Sequence, residues 1–179
     1  MHITMQQLLT VAVLLGVGGV ANMAAVIFGT RNWLSWMAKP LNAHIFGITK
    51  TWRGVIVGTI TAGIAYWGIY TAQWLPSSLR HWWVGGLVGF TTMAGDAAKS
   101  AIKRRMRYAD GSPRYPSGSK WWLDRYDPAY GLLVVGLPLA GFDAAPTIEL
   151  AVVAIISLGL AHTIVSWTGY WLHLKATPH

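Results

Sequence analysis

The sequence has 179 residues, room for one domain, and its 54% hydrophobic and 11% charged residues give a mean hydropathy of +0.42, unlike a water-soluble domain. The absence of cysteine excludes a disulfide framework, an iron–sulfur cluster and a thiol nucleophile. A formal charge of +8 calls for an anionic partner: lipid headgroups, nucleic acid or a phosphorylated substrate.

Apolar runs occur in order at Met5–Phe28, Gly54–Leu75, Trp82–Ile102, Pro128–Gly141 and Ile148–Leu172. A helix that crosses a bilayer needs about 20 residues. The runs therefore predict an all-α membrane protein, a polytopic bundle of about five transmembrane helices in a single domain, 1–179. The fourth run, roughly 14 residues interrupted by Pro138, fits a tilted or re-entrant segment as well as a span. The first run lacks a basic leader and is too long for a signal-peptide core, which predicts a retained helix.

The charges sort by side. Arg31, Lys39, Lys50 and Arg53 fall in loop one, and Lys103, Arg104, Arg105, Arg107, Arg114, Lys120 and Arg125 in loop three; Lys175 is in the tail. The opposite side has Arg80 alone. The positive-inside rule then places the N-terminus outside and both basic loops in the cytoplasm of a multi-pass plasma-membrane protein. The stretch YADGSPRYPSGSK, 108–120, cannot continue a helix through its Asp-Gly, Ser-Pro and Tyr-Pro steps and reads as a loop. Nucleic-acid binding is disfavoured, because the basic residues hug apolar helix ends instead of lining a soluble face.

Three stretches carry chemistry. In GDAAKSAIKRRMR, 95–107, a helical turn of about 100° per residue gathers Asp96, Lys99, Ser100, Lys103, Arg104 and Arg107 into an arc of roughly 140°. Ala98, Ala101, Ile102 and Arg105 occupy the other side, where the small alanines suit close packing. Asp96 and Lys99 could simply neutralise each other as an i,i+3 pair above a snorkelling anchor. Ionisable groups at membrane depth are costly, however, and a continuous stripe of them more often lines a water-filled site. In DRYD, Asp124 and Asp127 project to one side of a turn, where two hard oxygens can share a divalent cation. Asp127 before Pro128 is also a good helix cap, an explanation that leaves Asp124 unaccounted for. In KTWRG, 50–54, Lys50 and Arg53 flank Trp52 as an interfacial anchor would, and Gly47 just before it could let the backbone approach a phosphate. Asn22 suits an interhelical hydrogen bond, His162 suits packing, and the histidines have no metal-ligand spacing. The 11 tryptophans fit interfacial belts and require no cofactor.

Taken in order, ANMAAVIFG (21–29), KTWRG, GDAAKSAIKRR (95–105), DRYDPAYG (124–131) and HTIVSWTGYWLHLKATP (162–178) resemble the CDP-archaeol synthase family. The middle motifs also look like the signature of the larger CDP-diacylglycerol synthases. The chain departs from the family pattern at Ile48, Thr49 and Ser166. The resemblance implies a Mg²⁺-dependent cytidylyltransferase in which a membrane lipid phosphate attacks the α-phosphorus of CTP, giving CDP-lipid and pyrophosphate. It implies Asp124 and Asp127, with Asp96 as third candidate, for Mg²⁺. Lys99, Ser100, Lys103 and Arg104 would hold phosphates, Lys50, Thr51 and Arg53 would close the site, and Asn22, Arg107 and Arg125 would contact substrate. The acceptor is expected to be 2,3-di-O-geranylgeranylglycerol 1-phosphate. Phosphatidic acid is the alternative acceptor, and a small transporter or anionic-lipid-binding protein the alternative class.

Overall fold

The structure, a computed structural model, describes residues 5–72, 75 and 79–106, together with Ile156, Ile164, Trp167, Tyr170 and Trp171. The run Pro128–Gly141 and the rest of Ile148–Leu172 lie outside the described residues. Helix α1 covers Met5–Thr30, α2 Ala43–Phe46, α3 Trp52–Thr71 and α4 Val84–Arg105, with one 3₁₀ turn at Ser35–Met37. Among the described residues there is no strand beyond an isolated bridge between Pro40 and Thr51.

Helix α1 buries Val11, Leu14, Val17 and Ala21, which recur at helical spacing, yet it exposes Leu9, Val20, Met23 and Val26 on its other faces. Helix α3 does the same, burying Ala62 and Tyr66 while Ile60, Ile64 and Trp67 stay exposed. A helix that is apolar all round suits a buried core or a membrane. Leu8–Thr30, with hydropathy 2.2, and Trp52–Thr71, with hydropathy 1.3, are long and apolar enough to cross one. Helix α4 has the length, but its last three turns carry Asp96, Lys99, Lys103, Arg104 and Arg105. It continues past the apolar run, which ends at Ile102, and its final basic residues lie at the negative end of the helix dipole.

Glycines set the α3–α4 contact. A Cβ on Gly85 would stand 2.2 Å from Tyr66 Cβ, and one on Gly89 would stand 2.5 Å from Ala62 Cβ and 2.9 Å from the Gly58 carbonyl oxygen. The helices are therefore in near-backbone contact, as small-residue interfaces permit. At the far end the Tyr66 hydroxyl donates to the Leu79 carbonyl, and Arg80 Nε donates to the Leu75 carbonyl at 2.8 Å, closing the α3–α4 connection.

At the other end the α1–α3 connection is folded. Leu41 N–H donates to the Lys50 carbonyl at 2.8 Å and Trp52 N–H to the Lys39 carbonyl at 3.0 Å, so residues 41–50 form a loop whose ends are paired. Inside it, the Asn42 side chain accepts from the N–H groups of His44 and Ile45, capping α2. Gly47 ends that turn at φ 82°, a backbone conformation natural for glycine.

Candidate functional site

Asp96 is the only acidic residue before Asp110, and two cations share it. Lys50, at the end of the paired loop, makes an ion pair with Asp96 Oδ2, and Lys99 Nζ lies 3.4 Å from Oδ1. Their side chains are only 25%, 19% and 9% exposed for Lys50, Asp96 and Lys99, so the cluster is shielded from solvent. Two ammonium groups about one carboxylate leave a net positive charge, increased by half-buried Lys103 and Arg104 one turn further along. A partly desolvated cation cluster of this kind attracts phosphate more strongly than the same charges in water would.

The predicted stripe faces inward. Lys99 and Ser100 are buried and Asp96, Lys103 and Arg104 half-buried, whereas Ala98, Ile102 and Arg105 are exposed. Among the described helices, close packing falls to Gly58, Gly85 and Gly89, because they lie where α3 and α4 cross; the runs that could pack on the back face lie outside the described residues.

The loop-one residues are more committed than the motif suggested. Thr51 Oγ1 accepts from Gly54 N–H at 3.3 Å, capping α3. Arg53 donates to Asn32 Oδ1 at 3.2 Å and to the Trp33 carbonyl at 3.1 Å, tying the start of α3 to the end of α1. Ser100 Oγ donates to the Phe46 carbonyl at 2.9 Å, docking α2 on α4. Lys50 and Arg53 thus engage the protein itself, while Trp52 keeps the exposed position expected of an interfacial residue. The Gly47 N–H is used in the turn, donating to the Ala43 carbonyl at 3.2 Å. Asn22 lies half-buried on α1.

Arg107, Asp124, Arg125, Asp127, His162 and Ser166 lie outside the described residues. The described part offers one carboxylate for a metal, Asp96, and no group of three or more ligating side chains. Sequence reasoning missed Asn42, Asn32 and the Phe46 carbonyl. Only the first had a signal, an Asn directly before a short turn.

Two helices long and apolar enough to cross a membrane, with cationic side chains gathered at the end of a third, are features of a helical membrane protein. A family model described as "CarS-like: CDP-archaeol synthase" matches residues 3–179. The chain belongs to the CDP-archaeol synthase family. It is 29% identical over 169 residues to the CDP-archaeol synthase of Methanoculleus marisnigri, covering 89% of this chain and 96% of that protein. It is 30% identical over 174 residues to that of Methanosphaerula palustris, covering 88% and 95%. With that of Methanopyrus kandleri the identity is 29% over 163 residues, covering 89% and 86%. No solved structure matches the chain.

Proposed function

We propose that the chain transfers CMP from CTP to a membrane lipid phosphate of the archaetidic-acid type, 2,3-di-O-geranylgeranylglycerol 1-phosphate. A phosphate oxygen of the lipid bonds to the α-phosphorus of CTP, the bond to the β-phosphate breaks, and pyrophosphate leaves. A phosphate monoester with a second pKa near about 6 is largely dianionic at neutral pH, so the attack needs no general base. What it needs is charge neutralisation and alignment. The observation that carries the reading is the Lys50–Asp96–Lys99 cluster, assembled between loop one and the end of an apolar helix. Lys50, Lys99, Lys103 and Arg104 would hold the triphosphate and the departing pyrophosphate, with Arg107 and Arg125 as further contacts. Thr51, Ser100 and Arg53 would act by holding the loop, as their hydrogen bonds suggest, and Asn22 would orient α1 toward the site. Bound Mg²⁺ would supply charge neutralisation across the triphosphate. Asp124, Asp127 and Asp96 are its proposed ligands, all hard oxygen donors suited to it.

The same reading makes the protein multi-pass, with about five spans, the N-terminus outside and both basic loops in the cytoplasm, where CTP is found. The distribution of lysine and arginine supports that orientation. The test is to incubate purified protein in detergent with α-labelled CTP and a panel of lipid phosphates, with Mg²⁺ or with a chelator. Label should enter a CDP-lipid with the ether-linked isoprenoid acceptor, matched by pyrophosphate and abolished by chelation. Transfer to phosphatidic acid alone would reassign the acceptor, and no transfer to any lipid phosphate would overturn the reading.

A substitution pair separates site from bulk charge. Lys103→Ala, on the inward stripe, is expected to lower kcat/KM for CTP by about tenfold or more, and Arg105→Ala, exposed on the opposite face, by less than about twofold. Both remove one positive charge from the same helix end. Equal losses, restored by lowering salt, would assign the effect to the general field instead.

A further inference from the structure

The turn that follows α1 is apolar, exposed and strained at once. Residues 31–36 are all exposed, among them Trp33 at 54%, Leu34 at 40% and Trp36 at 72%. Leu34 also stands at φ 52° and ψ 44°, the left-handed conformation that glycine or asparagine adopts readily and leucine does not. The turn is nevertheless held in place. Trp33 N–H donates to the Phe28 carbonyl at 3.1 Å and Met37 N–H to the Leu34 carbonyl at 2.9 Å. The Trp33 ring meets the Phe28 ring edge-on at 5.1 Å, which keeps it level with the last turn of α1. From α3, Arg53 grips the same turn through Asn32 and the Trp33 carbonyl.

Large apolar side chains fixed in exposed positions suit the boundary of a bilayer, where tryptophan is enriched at headgroup level. The cations of the turn stand at that boundary. Arg31 directly follows α1, and the Lys39 carbonyl accepts from the N–H of Trp52, the first residue of α3. Both therefore lie at the adjoining ends of the two helices long and apolar enough to cross a membrane. Both are exposed, and among the described residues neither side chain has an ion-pair partner. No acidic residue occurs before Asp96 in the sequence to offset them. Their complement is a surface of negative charge at headgroup depth, which anionic phospholipids supply.

The same turn is joined to the site. Leu41 N–H bonds to the Lys50 carbonyl and Trp52 N–H to the Lys39 carbonyl, so the segment beginning at Lys39 is paired with the one that carries Lys50. The Lys50 side chain in turn reaches Asp96 on α4. We propose that residues 31–39 dock on anionic phospholipid headgroups, and that docking holds loop one, with Lys50, against α4, so that activity depends on the anionic lipid of the surrounding membrane. The proposal rests on the multi-pass reading for its geometry and on the transferase reading for the activity it regulates. Its commitment to a lipid surface comes from the position of the turn at the helix ends, its exposed tryptophans and its uncompensated charge.

The experiment reconstitutes the full-length chain in phosphatidylcholine vesicles, with or without about 30 mol% phosphatidylglycerol, at one fixed content of acceptor. Docking is read independently of turnover by a polarity-sensitive fluorophore on Ser35→Cys, a single site because the sequence contains no cysteine. Phosphatidylglycerol should shift the probe emission to the blue and raise kcat by about threefold or more, and salt at about 0.5 M should diminish both responses. Arg31→Gln combined with Lys39→Gln should lose both responses, while its turnover in neutral vesicles stays within about twofold of the parent. Trp36→Gln, which keeps every charge, should weaken the probe shift by itself. Equal responses in the parent and the double variant would overturn the proposal, as would a probe indifferent to phosphatidylglycerol. The same shift produced by soluble glycerol phosphate in neutral vesicles would overturn the assignment to a membrane surface, and a probe shift without any change in parent turnover would overturn the regulatory role. Should the parent transfer CMP in neither membrane, the transferase reading falls and the probe still decides the docking.

Discussion

Asp96→Asn is expected to lower CTP-dependent turnover by about two orders of magnitude or more, and to lower the melting temperature as well. The side chain keeps its shape and can still accept a hydrogen bond, but the carboxylate between Lys50 and Lys99 is gone. Two ammonium groups then face each other in a shielded pocket without the carboxylate that both approach. Breaking a fully buried ion pair costs about 3–5 kcal/mol. Asp96 is 19% exposed and Lys50 25%, so water screens part of that and the lower end applies. Lys50 can leave by carrying loop one away from α4, which would unmake the site without unfolding the helices. Turnover and thermal melting of the variant are the measurements. Adding Lys50→Gln should recover melting temperature but not activity. Near-normal turnover in Asp96→Asn would remove this residue from the chemistry altogether.

The second large effect is on folding. Gly85→Ala and Gly89→Ala together should prevent α3 and α4 from meeting at their present separation, because each new Cβ would lie within 2.6 Å of Tyr66 or Ala62 and within 3.0 Å of a backbone oxygen. Backbone atoms cannot rotate aside as the tip of a side chain can. Overpacking of this kind costs about 1–3 kcal/mol per site, and two adjacent sites compound it. The matched control is Gly16→Ala with Gly19→Ala on α1, where a Cβ meets nothing within 4 Å. That pair should leave melting unchanged or raise it, since alanine favours a helix interior by about 0.5–1 kcal/mol per residue. Melting in one detergent, with α-helical circular dichroism as the readout, compares the two pairs directly. If both pairs behave alike, the close approach of α3 and α4 does not hold the bundle.

Long apolar periodicity made the three long described helices legible. Met5–Phe28, Gly54–Leu75 and Trp82–Ile102 correspond to α1, α3 and α4 within a few residues, and the ends differ where caps decide them. Thr51 starts α3 before its apolar run begins, and the basic last turn lets α4 outlast its own. The inward stripe on α4 was legible too, because it needs only the helical repeat. What joins it to loop one was not. Lys50 and Asp96 are 46 residues apart, and nothing local distinguishes a lysine aimed at a carboxylate from one lying on a lipid headgroup. Arg53 and Ser100 carry the same lesson: as motif letters they suggest phosphate ligands, yet each makes a hydrogen bond to the protein that shapes the loop. The glycines at 58, 85 and 89 were invisible for a different reason, since their importance depends on which residue stands opposite.

The Asp96–Lys99 contact is a local one, three residues apart on a single helix, whereas the contact with Lys50 requires two parts of the chain to have met. On the multi-pass reading this sets an order of events during synthesis. As α4 emerges it carries its own counter-ion, so the segment approaches the bilayer with its deepest pair of charges already neutralised, which reduces the cost of its insertion. Lys50, made earlier, waits at the surface on the preceding loop and joins the pair when α3 and α4 associate. Biogenesis and assembly would then draw on the same carboxylate in succession, first as a passport for one helix and afterwards as the clasp that closes the loop over it.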